Sequence, residues 1–125
     1  MVDTDRAPVS GHEPTNLKST LLALDRALDM VRAVRPLAAK LARQDTSLMK
    51  QLKSAASSVP LNLAEGRQRT KGDRLHHYRI AAGSAEETRV CLRVAEAWDY
   101  VKQDELEVAL DLLDQIVAMC WRLTH

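Results

Sequence analysis

Leu17, Leu21, Leu24, Leu28 and Val31 follow one another at steps of four and three residues, the rhythm that lines apolar side chains along one stripe of an α-helix. It returns in Leu48, Leu52, Ala55, Val59 and Leu63, in Ile80, Ser84, Cys91, Val94, Trp98 and Val101, and in Leu106, Ala109, Leu110, Leu113, Ile116, Val117, Cys120 and Leu123. No stretch alternates apolar and polar residues over the length of a strand, and no Asn-Gly or Asp-Gly pair marks a hairpin, so β-structure has nothing to be built from. Four helices of about 20 residues with short connections predict an all-α, up-down-up-down antiparallel four-helix bundle.

The 125 residues fit one domain. Met1 to Thr15 mixes Asp, Pro, Gly and His without an apolar run. It reads as a flexible N-terminal tail, residues 1–15, rather than a signal peptide or membrane anchor, with the bundle domain over 16–125. Helix 1 is expected from an Asn16 cap to about Arg43, with Pro36 kinking or interrupting it. Asp45 or Thr46 is placed to cap helix 2, and Gly66 begins its C-terminal punctuation. The polar connection Arg67 to Gly72 makes helices 2 and 3 an antiparallel hairpin. Helix 3 is expected over about Asp73 to Tyr100, and helix 4 opens with Asp104 and Glu107 at capping-box spacing.

Glu87 falls in the middle of the apolar stripe of helix 3. A buried carboxylate without a partner costs several kcal/mol, and Arg35 shares the leucine stripe of helix 1 at about the same height. The wheel therefore predicts a Glu87–Arg35 pair inside the bundle, or Glu87–Lys53 if Pro36 turns helix 1 out of register. Folding the hairpin back sets Ala55 to Ser58 opposite Ala81 to Ala85, which predicts helices 2 and 3 as the tightest pair and Gly83 as intolerant of bulk. Pro60 lies just above that contact. Leu61 projects away from the core, and Leu112 and Met119 flank the main stripe of helix 4. These three are candidates for an oligomer interface.

Eighteen Lys and Arg stand against 17 Asp and Glu, a net charge of +1, which excludes a globally basic nucleic-acid binder and leaves local patches. One such patch, Arg67, Arg69, Lys71 and Arg74, sits at the helix 2 to helix 3 turn and offers contacts to phosphate. Cys91 and Cys120 lie far apart in apolar helical stretches and read as buried thiols of a cytoplasmic protein. A di-iron carboxylate bundle requires Glu-x-x-His motifs, and the chain has none; His76 and His77 are adjacent and point to different faces. Phosphate-binding and dinucleotide-binding glycine patterns are missing too. The expectation is a protein without metal, cofactor or catalytic residues, and with no membrane partner.

The segments Ser58-Val59-Pro60-Leu61-Asn62-Leu63-Ala64-Glu65-Gly66 and Ile80-Ala81-Ala82-Gly83-Ser84-Ala85-Glu86-Glu87 resemble the two signature stretches of the four-helix bundle proteins found in intervening sequences of 23S ribosomal RNA genes. The chain is also similar to the accessory proteins of diversity-generating retroelements, though its net charge is near zero where theirs is strongly positive. The resemblance implies an up-down bundle assembling into a ring, a homopentamer, without an established catalytic role. Pro60, Asn62, Glu65, Gly66, Gly83, Ser84 and Glu87 match its motifs, and with Arg35 they form the expected structural set. The function expected is a non-catalytic oligomeric scaffold or adaptor that binds copies of itself. The alternative is an RNA- or DNA-binding accessory protein using the basic turn, with RNA or another protein as further partner.

Overall fold

The computed structural model describes residues 12–125, with side chains from residue 17 onward. Four helices follow in order, α1 (His12–Leu41), α2 (Thr46–Arg67), α3 (Lys71–Ala97) and α4 (Gln103–Thr124), and no strand occurs among the described residues. Each helix packs on two neighbours in a closed cycle α1, α2, α3, α4, with α1 and α3 on one diagonal; the α2–α3 contact is the most extensive. Lys40 bonds Glu105 and Arg26 bonds Gln115, so α1 and α4 run antiparallel. The tail expected over residues 1–15 lies largely outside the described residues. Its last four are already helical, which takes the capping role from Asn16.

Local chemistry explains the boundaries. Asp45 accepts the Leu48 amide at 3.0 Å, satisfying one of the free donors at the start of α2. Pro36 does not interrupt α1; its ring is exposed, on a face where water can take the hydrogen bond that proline forfeits. The α3–α4 turn is a Schellman motif: Asp99 N–H donates to the Glu96 carbonyl and Tyr100 N–H to that of Ala95. Asp99 takes the left-handed position with φ 62, so α3 ends at Ala97 and not at Tyr100. Tyr100 then ties this turn to the α1–α2 turn, donating from its hydroxyl to Asp45 and accepting at its carbonyl from Gln44. The capping box of α4 also differs from expectation. Glu105, not Glu107, accepts the Lys102 backbone amide at 2.8 Å, and the helix starts before Asp104.

The core stripes of α2 and α4 are the expected ones: Leu48, Leu52, Ala55, Val59 and Leu63, and Leu106, Ala109, Leu113, Ile116 and Cys120, are buried. On α1 and α3 the stripes are turned. The buried residues of α1 are Thr20, Ala23, Ala27, Met30, Val34, Leu37, Ala38 and Leu41, with Leu24 and Val31 of the expected stripe half-buried beside them, and those of α3 are Tyr78, Ala81, Ala85, Thr88, Cys91, Leu92 and Ala95, with Val94 half-buried. On α3 the buried face is rich in alanine, which lets that helix pack closely against its neighbours; on α1 Met30, Val34, Leu37 and Leu41 take the core positions.

Candidate functional site

The α2–α3 seam holds a chain of polar contacts at the segments singled out from sequence. Ser84 Oγ donates to Ser58 Oγ at 2.7 Å, and Asn62 Nδ2 donates to Ser58 Oγ at 3.0 Å and to the Ser58 carbonyl at 2.9 Å. With its amide nitrogen so engaged, Asn62 presents Oδ1 to His77 Nδ1 at 3.0 Å. Nδ1 must therefore carry the proton, whatever the state of Nε2. Within α3, buried Thr88 donates to the Ser84 carbonyl at 2.7 Å. Half-buried polar groups satisfied by one another fix the register of two helices more than they add net stability. His77 was not legible as a member of this chain; the only signal is that it sits across the hairpin turn from Asn62.

The two glycines exchange roles relative to expectation. Gly83 is exposed, and a Cβ built there meets nothing within 4 Å, so it does not set the helix spacing. Gly66 does, because a Cβ there would stand 2.6 Å from Cε1 of Tyr78 and 3.2 Å from Cβ of His77. It ends nothing: α2 runs through it to Arg67, and no described glycine has positive φ. Tyr78 is held in turn by a buried bond of its hydroxyl to Thr20 Oγ1 at 2.9 Å, which joins the diagonal helices. Pro60 is buried inside α2.

The pair expected inside the bundle is not there. Glu87, Arg35 and Lys53 are all exposed; the turned faces of α1 and α3 carry Arg35 and Glu87 outward, and Lys53 lies off the buried stripe of α2. The basic turn is likewise altered. Arg69 pairs with Glu65 at 2.6 Å, which gives that motif glutamate its role, and Arg74 donates to the Arg69 carbonyl at 3.1 Å. Lys71 is exposed and Arg67 half-buried. Among the described residues no three His, Cys, Asp or Glu side chains gather to hold a metal ion.

Several large apolar side chains remain outside. Leu17, Leu21 and Leu28 of α1 are each about 40% exposed, Leu61 is 67% exposed and Trp98 66%, and Ile80 and Val90 are exposed as well. Leu112 and Met119, by contrast, are half-buried against the core; the exposed apolar residues of α4 are Val108 and Trp121. Trp121 stacks on His125 with centroids 4.3 Å apart.

The model of the family described as 23S rRNA-intervening sequence protein matches residues 19–122. The chain belongs to this family. A crystal structure of a protein of unknown function from the S23 ribosomal protein family of Bacteroides thetaiotaomicron has the same fold, with a TM-score of 0.76 at 19% identity over 82% of this chain and 97% of that one. No curated protein matches significantly.

For this member of the intervening-sequence family, the motif residues divide by what they touch. Ser58, Asn62 and Ser84 knit α2 to α3, Gly66 admits Tyr78, and Glu65 neutralises Arg69. Gly83 and Glu87 touch no neighbouring helix in this way and face solvent. No helix of the described residues is long and apolar enough to cross a membrane.

Proposed function

We propose that the chain is a non-catalytic scaffold that works in the cytoplasm as a ring-shaped homo-oligomer, with five copies the number its resemblance implies. The observation that carries this reading is the turned stripe of α1. Leu17, Leu21 and Leu28 keep the spacing of a core-facing helix and yet lie on the surface. Leu61, Ile80, Val90 and Trp98 add further large apolar side chains to the surface on α2 and α3, which supports a contact with another copy. Cys91 and Cys120, both buried and free, support a reducing compartment. The half-buried polar groups of the α2–α3 seam are spent on one another, which supports a structural rather than a catalytic role.

The test is purification of the native chain, with its mass and co-purifying material measured together. The scaffold reading expects a nucleic-acid-free assembly. Nucleic acid retained in a salt-sensitive way, and lost on charge reversal at Arg67 and Lys71, would replace it with the nucleic-acid-binding reading; with Arg69 paired to Glu65, these are the cations best placed for phosphate.

A further inference from the structure

We infer that the outward stripes of α1 and α3 are the two halves of one head-to-tail contact between copies of this chain, in which Arg35 of one copy meets Glu87 of the next. This rests on the self-association proposed above and adds the faces that meet.

Each stripe can be located from the bonds on the opposite flank of its helix. On α1, Arg26 and Lys40 reach Gln115 and Glu105 of α4. At about 100° per residue, Leu17, Leu21, Leu28 and Arg35 lie roughly half a turn away, on the flank beside α2. On α3, Arg89 pairs with Asp114 of α4 at 2.8 Å, and Ile80, Glu87 and Trp98 lie roughly half a turn from it, again beside α2. Both stripes are exposed, and Leu61 stands on the ridge between them.

The occupant is settled by charge and level. Each stripe keeps the four-and-three spacing of a buried helix face and carries one charge within it, positive at Arg35 and negative at Glu87. A stripe meeting its own copy leaves its charge without an opposite partner, whereas one stripe meeting the other neutralises both. The Ser58–Ser84 bond and the short α1–α2 turn set Arg35 within about one helical turn of the height of Glu87. Rotation about an axis parallel to the helices preserves height, so copies arranged side by side bring the two together without sliding. Lys53, at the same level on α2, adds a second cation beside Arg35. Every copy presents both faces, so the contact propagates and closes wherever the rotation divides the circle.

Charge reversal separates this from a purely apolar association. Glu87→Arg and Arg35→Glu change exposed residues and should leave far-UV circular dichroism and melting of the subunit intact, while weakening assembly, read as light-scattering mass on dilution, by at least about tenfold. The double swap in one chain should recover the mass, whereas mixing the two single variants should recover only alternating complexes, which a ring of five copies cannot close without one like-charge contact. Single variants that assemble like the unaltered chain, or a double swap that stays dissociated, would overturn the pairing and leave self-association standing. An unaltered chain that is monomeric would remove both.

Discussion

Gly66 lies against the ring of Tyr78 so closely that a methyl group in place of its hydrogen would stand 2.6 Å from Cε1. Tyr78 cannot swing aside freely, because its hydroxyl is bonded to Thr20 inside the core. Gly66→Ala should therefore destabilise the fold by about 1–3 kcal/mol, the cost of overpacking exceeding the gain in helix propensity. Gly83→Ala, where the new Cβ meets nothing, should stabilise it by about 0.5–1 kcal/mol. Chemical denaturation of the two variants side by side checks the reversal of sign.

Ser58 is the hub of the seam. Ser58→Ala removes the acceptor for both Ser84 and Asn62, leaving half-buried donors short of partners at about 1–3 kcal/mol. Ser84→Ala removes only one contact and should cost less. Equal losses in the two variants, measured by urea unfolding, would contradict the assignment of Ser58 as the hub.

Asp99 holds a left-handed conformation that favours glycine. Asp99→Gly should raise stability by about 1 kcal/mol, a rise in Tm of about 4 °C for a domain of this size, with the Trp98–Tyr100 ring stacking retained in the near-UV spectrum.

Burial pushes the Cys120 thiol up from about 9 to about 11. The unfolded chain ionises this thiol first, so the folded state keeps its full stability below about pH 9 and loses it as pH rises toward 11. Thermal melts between pH 8 and pH 11 should show that decline, with a shallower slope in Cys120→Ala. Alkylation of Cys120 in the folded protein should be slow at neutral pH.

The bundle and its hairpin pairing were legible in the sequence because helix periodicity and the small residues of α2 and α3 are local signals. Leu48, Leu52, Val59 and Leu63 are buried as their spacing requires, and so are Leu106, Leu113 and Ile116. The turned faces of α1 and α3 were not legible. Each of those helices offers two stripes at core spacing, and only the packing of the whole interior decides between them. Glu87 and Arg35 went with the outward stripes, so a pair expected inside the bundle lies on its surface. Gly66 misled for a different reason: a glycine near a helix end commonly caps it, and the ring that occupies its open side belongs to another helix.

The bulky outward stripe is the centre of the account, and the mass of the native particle in solution tests it most directly. Light scattering across a dilution series should give a multiple of the 14.0 kDa subunit, and Leu21→Lys with Leu28→Lys should reduce it to the subunit mass with helical content intact. A particle of 14.0 kDa for the unaltered chain at every concentration would contradict it.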